Sequence, residues 1–272
     1  QQGGAEFVAA QCKTAEDVAE AVAGASVVAV QFAPFGPDAC AAVAPGATVI
    51  RDGVGYDNID LSAARAAGLK VGYVPDYCAD EVADHTSAAA LTLLRKLVPL
   101  DASVRAGEWA AVKHAKPLKP FSETTFGFFG MGQIGTAILS RLKGFGFRFI
   151  VADPGLTPAQ AEALGATLVD NKTLLAEADI LSLNAPATAQ TTEFFNAERF
   201  AQMQPHAMIV NSARGQLIVE DDLAAALENG VIAGAALDVF HVEPLPMSSR
   251  LRAAPKLLLA PHAAWYSDAA IQ

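Results

Sequence analysis

The chain has 272 residues, of which 52% are hydrophobic and 18% charged, so it can bury a core and is not disordered in general. Its formal net charge of −10, without a basic cluster, excludes nucleic acid as a partner and requires a local cation for any anionic substrate. Because no apolar run reaches the roughly 18 residues of a membrane span and the first residues do not resemble a signal peptide, we expect a cytoplasmic protein without membrane contact.

Short apolar segments alternate with Ala- and Leu-rich helical segments along the whole chain, which predicts parallel sheets covered by helices. The first third has predicted strands at 26–31, 47–51 and 71–74, and Thr14 with Asp17 three residues later predicts the start of a helix. A helical pattern then covers residues 80–106, where Pro99 predicts a kink or two separate helices. Residues 107–120, which include Trp109, are predicted to be less regular.

A second α/β series begins at Thr124. Its predicted strands are 125–129, 148–152, 167–169, 180–184, 208–211, 234–238 and 257–260, and its predicted helices are 133–143, 157–164, 172–177, 197–202 and 220–229. Thr157 and Pro158 are typical of an N-cap and a first helical position, and Gly230 is typical of a C-cap. The predicted fold class is α/β, with two doubly wound parallel-sheet domains.

A glycine-rich turn joins the first strand and helix of the second series. The residues Phe126-Gly-Phe-Phe-Gly130-Met-Gly132-Gln-Ile-Gly135 contain GxGxxG, in which the glycines allow a tight turn, approach of a pyrophosphate and close helix–strand packing. Asp153 ends the next strand, where a carboxylate could accept both adenosine ribose hydroxyls and would repel a 2′-phosphate. The pattern favours NAD over NADP; the alternative is a glycine-rich turn without a ligand.

Three polar residues follow predicted strands of the same sheet. Arg214 lies in Asn211-Ser-Ala-Arg-Gly215, Glu243 lies in Asp238-Val-Phe-His-Val-Glu-Pro244, and His262 follows the strand at 257–260. Strand ends of one parallel sheet meet at one edge, where ligands bind. Arg214 could hold the carboxylate of a 2-keto acid, His262 could exchange a proton with its oxygen, and Glu243 could fix the imidazole tautomer. From the residues alone, three unrelated strand-end side chains remain the alternative.

At these positions the chain resembles the D-isomer-specific 2-hydroxyacid dehydrogenases over nearly its whole length. The motifs that carry this resemblance, in the family's order, are residues 53–60, 74–85, 130–135, 210–215, 236–244 and 261–267. The resemblance implies a flavodoxin-like substrate domain over residues 1–76 and a Rossmann NAD-binding domain over residues 77–270. It implies hydride transfer between NADH and a small 2-keto acid, with Arg214, Glu243 and His262 as the catalytic residues.

The resemblance also implies ligand contacts. The cofactor contacts would be Gly130, Met131, Gly132, Gln133, Ile134, Gly135, Asp153, Ala185, Pro186, Thr191, Ser212, Ala213, Asp238 and His262, with Asp238 at the nicotinamide carboxamide. The substrate contacts would be Val54, Gly55, Arg214 and His262. The ending from His262 to Ser267 is similar to that of the C-terminal-binding-protein corepressors and their bacterial relatives, so Trp265 would either line the substrate pocket or pack between domains.

Some features are expected not to take part in the chemistry. His85 lies within a helical pattern and is interpreted as structural. Cys12, Cys40 and Cys78 are widely spaced without a CxxC pair, which indicates a reducing compartment and no disulfide or zinc site, so no metal is expected.

Trp109 and the preceding helix resemble the family's dimer contact, and a homodimer is therefore expected.

The chain also differs from the family pattern, and other functions remain open. The family usually has another strand and helix before the position of Gln1, and a helix after the position of Ser267 that returns to the first domain; both are expected to be absent here or nearly so. A phosphoglycerate dehydrogenase would need an added cation, and no convincing one is found. Phosphite dehydrogenase and an NADH-sensing corepressor-like module remain as alternatives; an intact trio of arginine, glutamate and histidine favours turnover.

Overall fold

A computed structural model describes residue 4 and residues 6–270 of the chain. The chain divides into two compact units, one that ends at Tyr77 and another that begins at Cys78. Both are built from parallel strands and helices, as the alternating pattern of the sequence predicts. Among the residues described, no helix combines the length and the apolar character needed to cross a membrane.

The unit that ends at Tyr77 contains a three-stranded parallel sheet. The strands β1 (Val27–Val30), β2 (Thr48–Arg51) and β3 (Lys70–Tyr73) pair in chain order, with helices α1 (Ala15–Ala21), α2 (Pro37–Ala42) and α3 (Leu61–Ala66). Thr14 and Asp17 form a reciprocal capping box at the start of α1, so the predicted helix start is confirmed. Phe35 and Val49 are fully buried in this unit's apolar core.

Three helices precede the second sheet: α4 (Ala79–Leu94), α5 (Leu97–Arg105) and α6 (Ala111–Ala115). The predicted break within residues 80–106 is confirmed, but its position is not Pro99. The chain breaks at Lys96, which has a left-handed backbone (φ 52°). Pro99 lies in the first turn of α5, where its backbone nitrogen needs no intrahelical partner, so the helix tolerates it. Helix α6 was not predicted; no side chain caps its start.

The unit that begins at Cys78 contains a seven-stranded parallel sheet in the order β10-β9-β8-β7-β4-β5-β6. The strands are β4 (Thr125–Phe129), β5 (Arg148–Ala152), β6 (Thr167–Leu168), β7 (Ile180–Leu183), β8 (Met208–Asn211), β9 (Gly234–Leu237) and β10 (Leu257–Leu259), and the helices are α7 (Gln133–Leu142), α8 (Pro158–Leu164), α9 (Asn171–Glu177), α10 (Ala197–Phe200) and α11 (Glu220–Glu228). The sheet is a doubly wound Rossmann arrangement, and the α/β fold class is confirmed.

The direction of winding reverses between β4 and β7, which are neighbours in the sheet but not in sequence. The central strands β4, β7, β8 and β9 are buried along their whole length, as expected for strands covered on both faces. Successive residues of β4 enter different cores: Phe128 packs in one apolar cluster and Phe129 in the other. Because the strands are parallel, their carboxyl ends, where the strand-end residues lie, meet at one edge of the sheet.

Candidate active site

Arg214 lies three residues beyond the end of β8, in a turn that the buried Asn211 braces. The Asn211 side chain accepts a hydrogen bond from the Ala213 N–H (3.0 Å) and donates one to the Arg214 carbonyl (2.8 Å). The Arg214 Nη1 donates to the Ala213 carbonyl at 2.6 Å. The guanidinium is therefore tied to the same turn that carries it.

Glu243 lies on the loop that follows β9, and hydrogen bonds occupy both of its carboxylate oxygens. Oε1 accepts the Phe240 N–H at 2.9 Å, and Oε2 lies 2.6 Å from the His262 Nδ1. Burial alone would raise the pKa of Glu243, but the His262 and Phe240 hydrogen bonds, with the charges of His262 and Arg214, hold that pKa below its usual value. The site thus contains an ionised carboxylate with a fixed orientation.

His262 follows β10 and has a left-handed backbone with φ 52°, an uncommon conformation for a residue other than glycine. Its N–H donates to the Asp238 carbonyl at 2.7 Å, which joins this turn to the end of β9. Since Nδ1 faces Glu243, the other ring nitrogen, Nε2, is the position from which a proton could be exchanged with a ligand. Arg214, Glu243 and His262 thus gather at one edge of the sheet, as their strand-end positions predict.

Asp238 is buried, and its carboxylate holds the turn that carries His262. Oδ1 accepts the Ala263 N–H (2.8 Å) and Oδ2 accepts the Ala264 N–H (2.9 Å). The His85 Nε2 lies 3.9 Å from Oδ1, beyond hydrogen-bonding distance. Asp238 therefore supports the His262 turn, a contact that the sequence did not indicate.

A cavity of about 220 Å³ adjoins Asp238 at the carboxyl ends of three strands. It is lined by residues of α4, including His85, and by residues at the ends of β8, β9 and β10, including Ser212 and Ala260. Two predicted cofactor contacts, Ser212 and Asp238, thus share one cavity with His85. The structural role of His85 stays a prediction; its place on this cavity wall was not predicted, because helix spacing alone does not show which strand end a helical side chain faces.

The glycine-rich turn fits a dinucleotide phosphate. Gly130 has φ +90°, and a β-carbon there would lie 2.9 Å from the Ala185 nitrogen, so the turn and the β7 end leave no room for a side chain. Gly132 is the N-cap of α7, without a side-chain cap, and a β-carbon there would meet only open space. The start of α7 therefore has open space beside Gly132, where a pyrophosphate could accept hydrogen bonds from the first N–H groups of the helix.

Asp153 lies directly after β5 and closes the same turn. Its Oδ2 accepts the Met131 N–H and its Oδ1 accepts the Gly155 N–H, each at 2.7 Å. Each carboxylate oxygen can accept a further hydrogen bond, as a ribose hydroxyl would require. The residues present in this unit therefore fit the adenosine and pyrophosphate parts of NAD.

The remaining predicted contacts lie in loops. Thr191 Oγ1 donates to the Pro186 carbonyl at 2.6 Å, which closes the loop after β7 that begins at Ala185. Trp265 packs edge-to-face against Tyr266, with ring centroids 5.7 Å apart. Val54 and Gly55 follow β2 in the other unit. In the described part of the chain, no three His, Cys, Asp or Glu side chains form a group that could hold a metal ion.

Comparison with known proteins places this geometry in a family. The family model described as the NAD binding domain of D-isomer specific 2-hydroxyacid dehydrogenases matches residues 87–264. A glyoxylate reductase from Thermococcus litoralis is 38% identical over 214 residues, which cover 77% of this chain and 64% of that protein. A D-3-phosphoglycerate dehydrogenase from Synechocystis sp. is 38% identical over 217 residues, which cover 78% of this chain and 38% of that protein.

Solved structures extend the likeness to nearly the whole chain. A structure from Polaromonas sp. JS6 66, described as a D-isomer specific 2-hydroxyacid dehydrogenase, is 32% identical, with a TM-score of 0.80 and coverage of 94% of this chain and 81% of that one. The chain spans less than two thirds of the length of the two curated relatives. By both its NAD-binding sequence model and its fold, the chain belongs to the D-isomer specific 2-hydroxyacid dehydrogenase family.

Proposed function

We propose that the protein is an NAD-dependent oxidoreductase that interconverts a small 2-keto acid and the corresponding D-2-hydroxy acid. The observation that carries this proposal is the 2.6 Å contact between the His262 Nδ1 and the Glu243 Oε2, at the sheet edge that also presents Arg214. A histidine with one nitrogen held by a carboxylate is arranged to exchange a proton through its other nitrogen. The family membership supports the same reaction.

Each member of the trio has a separate task in this reaction. Arg214 binds the substrate carboxylate and polarises the keto oxygen, since a guanidinium presents paired donors to planar acceptors. His262 donates a proton from Nε2 to the developing alkoxide, or accepts it in the direction of oxidation. Glu243 fixes the imidazole tautomer and remains negatively charged while it does so, because its pKa lies below the usual value.

The bound cofactor supplies or accepts the hydride. Gly130, Gly132 and the start of α7 would hold its pyrophosphate, and Asp153 would accept hydrogen bonds from its ribose hydroxyls. We assign the unit that begins at Cys78 to NAD binding, in line with the predicted domain at 77–270. The unit that ends at Tyr77, predicted as 1–76, is assigned to substrate binding, with Val54 and Gly55 as its proposed contacts.

We further propose that the protein is a cytoplasmic homodimer. The segment after α5 exposes large apolar side chains: Trp109 is 93% exposed and Val112 is 75% exposed. Leu97, Val98 and Val104 of α5 are also exposed. Several exposed large apolar side chains in one stretch of chain are typical of an interface, and this stretch coincides with the segment that resembles the family's dimer contact.

The experiment that tests the function follows NADH absorbance with glyoxylate, pyruvate, hydroxypyruvate and phenylpyruvate, and NAD+ reduction with 3-phosphoglycerate and phosphite. We expect reduction of at least one small 2-keto acid and its loss in His262→Ala. If 3-phosphoglycerate or phosphite is turned over faster than every 2-keto acid, that compound would replace the small 2-keto acids as the proposed substrate. NADH binding without turnover of any compound would overturn the enzymatic proposal and favour a nucleotide-sensing module.

A further inference from the structure

Asn211 is fully buried at the carboxyl end of β8, yet the proposed reaction gives it no part. Its backbone carbonyl accepts the Asp238 N–H at 2.9 Å, so the residue is fixed in the sheet. Burying a polar amide is unfavourable unless its donor and acceptor both find partners. For Asn211, both partners belong to the next three residues of the chain.

Those partners define the turn that carries Arg214. The side-chain Oδ1 accepts the Ala213 N–H, and the side-chain Nδ2 donates to the Arg214 carbonyl. The backbone N–H must face the amide oxygen, and the backbone carbonyl must face the amide nitrogen. These two partners therefore also fix the orientation of the Asn211 side-chain amide. Aspartate offers only acceptors when ionised, and serine is too short to span both groups, so asparagine is suited to this turn.

The turn that Asn211 braces also holds the guanidinium of Arg214. The Arg214 Nη1 donates at 2.6 Å to the carbonyl of Ala213, whose own N–H is bound by Asn211. A rotation of that residue's backbone would therefore move both the base of the arginine side chain and the acceptor that orients its end. Asn211 is thus connected to the guanidinium through two consecutive residues.

We propose that Asn211 is a positioning residue for Arg214, which aims the guanidinium at the substrate carboxylate. The inference rests on the proposed function, because it assigns Asn211 an effect on the binding of a 2-keto acid. It acts on the substrate through Arg214. Asn211→Asp keeps the acceptor for the Ala213 N–H, so this substitution should weaken carboxylate binding and leave NADH binding nearly unchanged.

The test compares the wild-type protein with Asn211→Asp, which keeps the size and the acceptor but removes the donor to the Arg214 carbonyl. In the presence of NADH, we expect the Kd of oxamate, a carboxylate analogue of 2-keto acids, to rise at least about tenfold. The Kd of NADH, measured by its fluorescence, should change less than about twofold. Asn229→Asp is the matched control, since the Asn229 side chain also donates to a backbone carbonyl, that of Ala225, but lies at the end of α11.

A double-mutant cycle separates positioning from general destabilisation. The loss of kcat/KM caused by Asn211→Asp should largely disappear in an Arg214→Ala background, because the arginine through which Asn211 acts is then absent. Equal losses in both backgrounds would overturn the inference. Asn211→Ala, with thermal unfolding measured for each variant, provides a second substitution if the aspartate variant folds poorly.

A crystal structure of Asn211→Asp gives a readout that does not depend on activity. We expect the Arg214 guanidinium to leave the Ala213 carbonyl; an unmoved guanidinium would contradict the inference. If the wild-type protein neither turns over a 2-keto acid nor binds oxamate, the proposed function fails, and this crystallographic comparison still decides whether Asn211 positions Arg214.

Discussion

Gly215 lies directly against the backbone of Phe240: a β-carbon on the glycine would lie 1.9 Å from the Phe240 carbonyl carbon and 2.4 Å from the His241 nitrogen. No side chain other than hydrogen fits at this position without displacement of one of the two segments. Gly215 follows Arg214, and Phe240 donates its N–H to Glu243. The close approach therefore sets the separation between the loop with the arginine and the loop with the glutamate.

Gly215→Ala should lower kcat/KM for the preferred 2-keto acid by at least about tenfold, because the added methyl forces these two loops apart. Steady-state kinetics at neutral pH measure the effect. Gly144→Ala is the matched control, since a β-carbon at Gly144 would contact nothing within 4 Å. Equal kinetics for the two variants would show that the Gly215 contact does not set the site geometry.

Glu243→Gln should lower kcat about tenfold to a hundredfold. Glutamate accepts from both His262 and Phe240, whereas glutamine has only one acceptor oxygen. With that oxygen on the Phe240 N–H, the amide nitrogen faces the His262 Nδ1 and can no longer accept its proton or balance the charge of the protonated ring. Glu220→Gln is the control, because Glu220 accepts the His241 N–H on the same loop at 2.7 Å but lies outside the proposed trio. A wild-type kcat in Glu243→Gln would show that the Glu243 carboxylate is not needed for the reaction.

The pH profile tests the same carboxylate. The pKa of Glu243 lies below the usual 4.5, so its ionised form and its stabilising contact with His262 persist above that pH. The contact is lost as the pH falls through the lowered pKa. We therefore expect no loss of kcat from Glu243 protonation between pH 5 and neutrality, whereas a Glu243-dependent loss within that range would contradict the lowered pKa.

Asp153→Asn should reduce the preference for NADH over NADPH, as the ratio of kcat/KM values, by at least about tenfold. The change removes the negative charge that would repel a 2′-phosphate and replaces one acceptor by a donor that faces a backbone N–H. Asp170→Asn is a suitable control, because Asp170 also accepts a backbone N–H, from Thr173, but caps α9. An unchanged ratio would place the adenosine ribose elsewhere.

The sequence predicted those features that depend on strand order. Arg214, Glu243 and His262 could be placed together because each follows a strand of one parallel sheet, and such strands end at one edge. The glycine-rich turn was recognisable for the same reason: a buried strand precedes it and a helix follows it. Short-range chemistry, such as the Thr14 capping box, was equally accessible.

Other features depend on distances that no local pattern contains. The support of the His262 turn by Asp238, and the cavity shared by His85 and Ser212, arise from packing between segments far apart in the chain. The sequence allowed two positions for the helix break, because a proline can either interrupt a helix or lie in its first turn. In the structure the break is at Lys96, and Pro99 lies in the first turn of α5. The sequence shows that Asn211 is a polar residue at the end of a buried strand. It does not show that its side chain bonds to the Ala213 N–H and the Arg214 carbonyl.

Trp109→Ser should shift the protein from dimer to monomer, since Trp109 is 93% exposed within an apolar segment and large aromatic side chains carry much of the energy of interfaces. Sedimentation equilibrium over a range of concentrations measures the association. Met247→Ser is the control, because Met247 is 85% exposed but lies outside this segment. A wild-type protein that is monomeric, or a Trp109→Ser variant that remains fully dimeric, would contradict the assignment of this surface.

Asp179 is buried just before β7, where it joins several elements at the amino ends of the strands. Its carboxylate accepts from the Lys119 Nζ (2.9 and 3.0 Å), from the Thr125 N–H (2.7 Å) and from the His206 Nε2 (2.5 Å). Burial alone would raise the pKa of Asp179, but these hydrogen bonds, from Thr125 first, hold it below the usual 3.8. A lowered folded-state pKa means that the carboxylate stabilises the fold above the unfolded-state value, and that this contribution is lost as the pH falls through the folded-state pKa.

Asp179→Asn should therefore lower the free energy of unfolding at pH 7 by about 2 kcal/mol, because a buried carboxylate loses its charge while its half-exposed partners Lys119 and His206 remain screened by solvent. Urea titrations at several pH values measure this difference, which should shrink as the pH falls below 3.8, where the wild-type protein loses the same interaction. Asp101→Asn should change stability little, since the Asp101–Arg105 pair is exposed. A difference between wild type and Asp179→Asn that stays constant down to the lowest pH would show that Asp179 stabilises the fold through its shape and not through its charge.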